Sequence, residues 1–393
     1  MDSISLFLVI YGFLALSHIL IQMFFAHGEH RKQKSKEFFD FHKGHTASVS
    51  VIIPCFNENP KWLDQCLESI DRQHYADVEI IVVDDGSKNR ADLLPVFDKY
   101  RANSKFKIVF QENLGKRQAH KAGFDIAKGE IIVTIDSDTM IEAPYGILHI
   151  VKQFKNPQVG AVTGDVRVAN KRENFLTQLI GYRYWTAFHQ ERAAQSLFDV
   201  LMCCSGPFSA YRKSILDKVK ERYVSQKFLG AKCTYGDDRH LTNLILEEGH
   251  QVRFDNKAVS YTYVPNNLRQ YIRQQIRWNK SFYREMLWTF KHIHKHHLYM
   301  AYELLMQLIL PFMLMIALTT VVIQAIIIDM SHLWKYLIIL IFIALLRSFY
   351  GIYRTHDFGF LRFIIYGFIH VFLLIPVRLY SIATIKDTKW GTR

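Results

Sequence analysis

Three acidic clusters stand where this sequence passes from apolar to polar. Asp136-Ser137-Asp138 follows the run EIIVTI, and two carboxylates at that spacing can hold a hard divalent cation, Mg²⁺ or Mn²⁺. Water and phosphate oxygens would fill its other sites, and it would neutralise a diphosphate leaving group. A solvated turn is the plainer alternative. Asp84-Asp85-Gly86 ends the run VEIIVV, and a carboxylate there can accept from a uracil N–H or from ribose hydroxyls. A capped turn would use the same residues. Tyr235-Gly236-Asp237-Asp238-Arg239 is the third cluster. An aspartate is a suitable base where a hydroxyl must attack, and also a suitable N-cap for the helix DRHLTNLILEEG.

Two cationic motifs complete the set. Asn113-Leu114-Gly115-Lys116-Arg117 puts a glycine and two cations at a helix start, which suits phosphate. The spacing is not that of a Walker A loop. Gln274-x-x-Arg277-Trp278 lies on a cationic amphipathic segment. Arg277 can pair with a diphosphate and Trp278 can stack on a sugar face. An interfacial aromatic belt with snorkelling arginines accounts for them equally.

The elements that must carry these residues alternate. SVSVIIP (48–54) reads as a buried strand, NPKWLDQCLESIDRQ (59–73) as a helix, and VEIIVVDDGS (78–87) as a second strand. FKIVF follows as a short strand, GKRQAHKAGFDIAKG as a helix, and EIIVTIDSDT (130–139) as a further strand. Such alternation predicts an α/β fold with a parallel sheet, in which ligands bind at strand carboxyl ends. Asp84, Asp85, Asp136 and Asp138 all fall there.

On either side of this domain the composition changes. Half of the 393 residues are hydrophobic and the net charge is +13. Aromatic content of 14% excludes disorder, and five cysteines exclude a disulfide scaffold. Cys55, Cys66, Cys203, Cys204 and Cys233 contain no CxxC and read as reduced thiols. Ile4 to Ala26 carries no Asp, Glu, Lys or Arg and is long enough to span a bilayer. It lacks the basic flank and small-x-small site of a cleaved signal peptide. Basic residues follow it, so the positive-inside rule places the N-terminus outside and residue 28 onward in the cytoplasm. Three apolar runs close the chain: Leu304 to Ile328, Leu333 to Tyr353, and Phe363 to Val377. The third either crosses, leaving the basic IKDTKWGTR tail outside, or is interfacial or re-entrant and leaves it inside. The cytoplasmic tail is the reading adopted. His18 and His370 read as helix-packing residues; Glu303, Lys335, Arg347 and Arg378 either snorkel or line a polar path. The positive charge suits anionic lipid or an anionic substrate; with no nucleic-acid motif, nucleic acid is not an expected partner.

Taken in order, VIIPCFNE, VVDDGS, NLGKRQAH, TIDSDT, GDDR and QQIRWNKSF resemble the processive family 2 glycosyltransferases of GT-A fold, over about 48–285. That family includes cellulose, chitin and hyaluronan synthases. ERAAQS, CSGPFSAYR, GDDRHLTN, QQIRWNKSFYRE and the terminal WGTR are similar to the bacterial single-chain hyaluronan synthases in particular. The resemblance implies that Glu58, Asp84 and Asp85 hold uridine, that Lys116 contacts UDP, and that Asp136 serves the nucleotide-sugar phosphates with Asp138 as metal ligand. Asp238 would be the general base. Gln274, Arg277 and Trp278 would bind the acceptor terminus and the leaving UDP, with Cys204, Ser205 and Gly206 bordering the acceptor sugar. Trp390 to Arg393 would gate the nucleotide. Relatives in that family usually have two N-terminal spans, whereas this chain reads as having one.

The expected organisation is an N-terminal transmembrane helix (1–27) and a basic cytoplasmic linker (28–47), then a GT-A domain (48–265) whose 173–199 segment is amphipathic. Interface helices (266–297), membrane or re-entrant helices (298–385) and a gating tail (386–393) follow. The expected activity is alternating polymerisation of UDP-GlcNAc and UDP-GlcA by a multi-pass plasma-membrane enzyme, acting as a monomer and passing its polysaccharide outward through its own helices. The rivals are a chitin or poly-N-acetylglucosamine synthase needing UDP-GlcNAc alone, and a non-catalytic export channel. The intact acids at Asp136, Asp138 and Asp238, with Arg277, weigh against the last.

Overall fold

The computed structural model describes residues 3–40 and 47–387. Among the described residues ten strands form: β1 (Val49–Cys55), β2 (Val78–Asp85), β3 (Phe106–Gln111), β4 (Ile131–Ile135), β5 (Thr139–Ile141), β6 (Val159–Val168), β7 (Phe208–Arg212), β8 (Lys227–Phe228), β9 (Ala231–Lys232) and β10 (Gln251–Thr262). Eight of them make one sheet in the order β3-β2-β1-β4-β7-β6-β10-β5. The four strands expected from the sequence are its parallel half. β7 then runs antiparallel to both β4 and β6, while β10 is parallel to β6.

Both faces of the parallel half are covered, which is why its strands read as unbroken apolar runs. Within β2, Ile81 and Val83 pack on one face against Ala119 and Phe124, which lie on the helix Lys116–Ile126. Ile80 and Val82 pack on the other against Leu63, Cys66 and Leu67, on the helix Pro60–Asp71. That helix starts where Asn59 accepts from the Lys61 N–H and Pro60 needs no donor partner. The expected strand 130–139 divides in two. β4 stops at Ile135, residues 136–138 turn, and β5 pairs antiparallel with the end of β10. The turn exposes both acids at the sheet's carboxyl edge.

The N-terminal helix is longer than the expected anchor. It runs unbroken from Ser3 to Asp40, so the stretch read as a linker is helical at least that far. Gln33 donates to the Phe254 carbonyl at 2.7 Å and Glu29 accepts from Ser196 at 3.0 Å, which fastens the helix to the sheet domain. The amphipathic segment forms one helical rod, Phe175–Thr186, a π turn at Ala187–Arg192, and Ala193–Leu197. The cationic segment is the helix Leu268–His292, capped by Asn267.

Among the described residues four helices are long and apolar enough to cross a membrane: Leu6–Ser35, Leu298–Ile327, Ser331–Thr355 and Phe358–Ala383. Length and composition do not separate the fourth from the others, but its contacts do. At its start Asp357 meets Lys171 at 3.5 Å and Arg362 donates to Gln178 at 2.5 Å. At its end Asp387 accepts from the Tyr235 hydroxyl at 2.7 Å and meets Lys280 at 3.3 Å. Both ends therefore touch the sheet domain and its interface helices. Its middle is bent by a π turn at His370–Leu374 and by Pro376, and Val371 and Ile375 pack among Tyr11, Leu314 and Ala317.

Candidate active site

Asp85, Asp136 and Asp138 converge at the carboxyl edge of the sheet on one cavity of about 1910 Å³. Glu58, Lys116, Ser205, Gly206, Asp238, Gln274, Arg277 and Trp278 line it too. Asp138 and Asp238, 100 positions apart, thus face the same space.

Lys116 is the hub. Its ammonium donates to Asp136 at 2.6 Å and sits 3.4 Å from Asp237. Burial alone would lower its pKa; the two carboxylates outweigh that and raise it. The helix it opens begins at Gly115, whose N–H, with that of Leu114, is accepted by Asp85 at 2.9 and 3.0 Å. Gln111 also donates to Asp85, at 2.6 Å. Asp85 therefore shapes the loop that presents Lys116. Gly206 is glycine for a reason of space: a Cβ there would lie 3.3 Å from Asp136 Oδ2 and 3.4 Å from Lys116 Nζ.

Asp237 and Asp238 open the helix Asp237–Glu247 and differ in environment. Burial would raise Asp237, but Lys116, His120 and Arg117 hold its pKa down to about 2. Asp238 is raised, by burial first and then by the charge of Asp237. It accepts from the Arg239 N–H at 2.8 Å and from the Cys203 thiol at 3.7 Å. One acid is held as a carboxylate beside a lysine while its neighbour's affinity for a proton is raised, a contrast that would suit a base at Asp238.

Some expected residues stand elsewhere. Asp84 is fully buried and paired with Arg90 at 2.6 Å; it does not line the cavity, so it acts through that pair and not by facing a ligand there. Cys204 is also fully buried, and its N–H donates to Thr242. Its neighbours Ser205 and Gly206 form the cavity wall instead. Trp390 and Arg393 lie outside the described residues, although Asp387, three residues before Trp390, already touches Tyr235 beside the third acidic cluster.

Sequence reasoning missed Cys203, Asp237 as the partner of Lys116, and a stacked pair, Trp62 on Tyr263 with centroids 4.4 Å apart, at the cavity wall. Cys203 directly precedes the motif CSGPFSAYR and Asp237 sat inside GDDR; nothing local joins residues 62 and 263.

Whether a divalent cation fits is decided by the donors. Among the described residues no group of three or more His, Cys, Asp or Glu could hold one. Asp136 is engaged by Lys116, whereas Asp138 lines the cavity with Thr139 and Thr262 hydroxyls each 3.3 Å from its Oδ1. A single carboxylate completed by substrate phosphates is a donor set that suits Mg²⁺ or Mn²⁺.

The cavity continues beyond these residues. Tyr11, His18, Glu303, Leu314, Arg347 and His370 line it too, so it extends from the sheet edge in among the apolar helices. Glu303 is fully buried there and accepts from Gln22, Tyr299 and Gln307 at 2.9 to 3.1 Å.

The profile of Glycosyl transferase family 2 matches residues 50–220. The chain is 35% identical over 348 residues to an N-acetylglucosaminyltransferase of Mesorhizobium japonicum, covering 88% of this chain and 82% of that protein. It is 37% identical over 358 residues to a hyaluronan synthase of Streptococcus pyogenes, covering 89% and 84%. In fold it is similar to the mannosyltransferase PcManGT from Pyrobaculum calidifontis, solved with GDP-Man and Mn²⁺, with a TM-score of 0.59, 19% identity, and coverage of 93% of this chain and 99% of that one. The sheet has the GT-A arrangement, and the chain belongs to glycosyl transferase family 2.

Proposed function

We propose that the chain is a membrane-embedded, processive, inverting glycosyltransferase that polymerises UDP-GlcNAc and UDP-GlcA into hyaluronan. The observation that carries processive synthesis with export is the single cavity running from Asp136, Asp138 and Asp238 into the apolar helices. A product made at its inner end has a polar path outward. Support for an anionic product comes from the cations on that path. Arg183, Arg192, Arg347 and Arg378 line it, against Glu191 and Glu303. Arg183 is paired with Glu191 at 2.8 Å, but Arg347 Nε has no hydrogen-bond partner among the described residues. An unsatisfied guanidinium N–H in a low-dielectric wall is costly, and an anionic polymer would offset that cost where a neutral one would not. The hyaluronan synthase relative points the same way.

In this reading the hydroxyl of the acceptor's terminal sugar gives its proton to Asp238. Its oxygen bonds to the anomeric carbon of the donor as the bond to UDP breaks on the opposite face. Lys116 and Arg277 meet the charge of the departing diphosphate. Asp138 would hold Mg²⁺ or Mn²⁺, which when bound supplies Lewis-acid stabilisation of that diphosphate. Trp278, 46% exposed, offers a face on which a sugar can stack. Gln274, with an oxygen lacking a partner among the described residues, offers an acceptor for its hydroxyls. Trp390 and Arg393 would close over the nucleotide.

The proposed topology is a multi-pass plasma-membrane protein with its transferase domain in the cytoplasm. The helices Leu6–Ser35, Leu298–Ile327 and Ser331–Thr355 cross, and 358–383 is re-entrant, which returns the tail to the cytoplasm.

A second reading, a synthase using UDP-GlcNAc alone, draws support from the N-acetylglucosaminyltransferase relatives. Purified protein given each labelled donor alone and both together, with and without Mg²⁺ or Mn²⁺, tests the two. Hyaluronan synthesis requires both donors and gives a product that hyaluronidase digests. Sustained polymer from UDP-GlcNAc alone rejects it in favour of the second reading.

A further inference from the structure

Behind the cavity wall lies a buried polar cluster that none of the steps above uses. It sits between the helix begun by Lys116 and the helix Leu268–His292. Arg117, Gln226, Arg284 and Glu285 are all at least nine-tenths buried. Protein groups replace only part of the water around these ions: Arg117 Nε and Arg284 Nε and Nη1 have no hydrogen-bond partner among the described residues, and the bonds that the other atoms make form a pattern.

Arg117 and Arg284 donate to the same atom, the carbonyl oxygen of Tyr235, at 3.3 and 3.1 Å. Arg284 also lies over the Tyr235 ring, 4.3 Å from its centroid. Arg117 reaches the Tyr223 carbonyl at 3.0 Å and Gln226 Oε1 at 2.7 Å. Gln226 donates in turn to Glu285. The other oxygen of Glu285 meets His240 at 3.0 Å and accepts from Asn243 at 3.1 Å. His240 and Asn243 lie on the helix Asp237–Glu247, which carries Asp238, and Tyr235 is two residues before its first turn. The cluster thus grips that helix at its entry and along its body. Arg117 is also the residue next to Lys116, so the grip begins where the cavity's central cation is attached.

We infer that Arg117 and Arg284 are positioning residues for sugar transfer: by sharing the Tyr235 carbonyl they fix Asp238 relative to Lys116. The inference rests on the reading of Asp238 as the base. Neither arginine lines the cavity, so each acts through the peptide it holds. A lysine at 117 would keep the charge but lacks the fork that reaches the Tyr223 and Tyr235 carbonyls together, and one at 284 would lose the planar contact with the Tyr235 ring.

The test measures UDP release by the full chain in lipid nanodiscs across pH, for the wild type, Arg117→Lys, Arg284→Lys and Asp238→Asn. The charged groups at Asp238 are Asp237 and Arg239 on its own helix and Lys116 opposite; the Cys203 thiol also faces it. A loosened Asp238 turns toward water and away from Asp237, so its pKa falls and the acid limb moves to lower pH. In both lysine variants kcat is expected to fall at least about tenfold, with donor KM changed by less than about twofold. A folded lysine variant with unchanged kcat and acid limb, or with its loss confined to KM, overturns the inference. If the lysine variants do not fold, Gln226→Met, which removes one acceptor of Arg117 and one donor to Glu285 but leaves both arginines on the Tyr235 carbonyl, carries the same test with the same signs. Asp238→Asn separates the two ideas. Turnover retained there sinks the base reading itself, whereas turnover lost there but intact in the arginine variants sinks only the positioning role.

Discussion

Gly236→Ala isolates the joint between the base-bearing helix and the interface helix. Gly236 has φ +78°, and a Cβ built on it would lie 2.2 Å from Ser281 Oγ and 2.8 Å from Ser281 Cβ. The substitution therefore has two costs. An alanine held in the left-handed region costs about 1–2 kcal/mol. Overpacking against a helix whose neighbouring Arg284 is buried and bonded adds about 1–3 kcal/mol. A combined loss of about 2–5 kcal/mol is a large part of a typical domain's stability. The costs separate by suppression. Ser281→Ala removes the nearer contact and leaves the Cβ; Ser281→Gly removes both. Added to Gly236→Ala, the first should restore part of the steric cost and the second nearly all of it, with the about 1–2 kcal/mol backbone cost remaining. The assay is a thermal melt of detergent-purified protein beside UDP release, since a displaced Tyr235-Gly236 peptide moves Asp238. The reasoning is refuted if Gly236→Ala melts and turns over like the wild type, or if Ser281→Gly restores neither.

Three further outcomes are expected. Asp238→Asn should lower UDP release at least about 100-fold, and wild-type turnover should fall on acidification at a pH above the usual aspartate value of 3.8, because the basic form is lost as pH drops through a raised pKa. Lys116→Met should lower turnover by about 100-fold or more, as removal of a preorganised donor to a developing anion does. It should also change acid stability. Asp237, held down to about 2, contributes stability that is present above 3.8 and lost as pH falls toward 2; melts between pH 4 and pH 2 should show that loss in the wild type and a smaller one in Lys116→Met. Chelation should stop turnover and Mn²⁺ or Mg²⁺ restore it, with Asp138→Asn raising the metal concentration needed by about tenfold or more; turnover that survives chelation refutes the metal reading.

How much of this was legible in the sequence depended on whether the signal was local. Asp136 and Asp138 announce themselves because β4 is a buried parallel strand and the chain turns directly after it. The parallel strands were visible for the same reason, being apolar on both faces. β6, β7 and β10 were not placed, since their registers depend on each other across up to a hundred residues. The acids of Asp84-Asp85 were found, but not their division of labour. Which one pairs with Arg90 and which holds the Leu114 and Gly115 amides is set by the pleat, and the dipeptide does not encode it. Cys204 was read with Ser205 and Gly206 as bordering the acceptor, but its side chain is buried while Cys203, Ser205 and Gly206 line the cavity, a distinction the tripeptide does not encode.

The last apolar run shows why hydropathy alone fails at a membrane surface. Phe358–Ala383 is as long and as apolar as the helices on either side of the sheet domain. What distinguishes it is where its polar residues find partners. Asp357 reaches Lys171, Arg362 reaches Gln178, and Asp387 reaches both Tyr235 and Lys280, all on the domain side. A crossing helix of 26 residues rises about 39 Å, which would separate its two ends by more than a bilayer core. The bend at His370–Leu374 and Pro376 shortens that span. It brings the chain end back beside Gly236, and it turns His370 and Arg378 into the cavity. The proposed re-entry is therefore tied to the proposed function. If the segment crossed, Asp387 would stand on the far side from Tyr235, and the residues after it could not reach the nucleotide. A cysteine at position 387 should then react with an impermeant thiol reagent added outside intact cells; the proposed re-entrant topology predicts protection there, with labelling after permeabilisation.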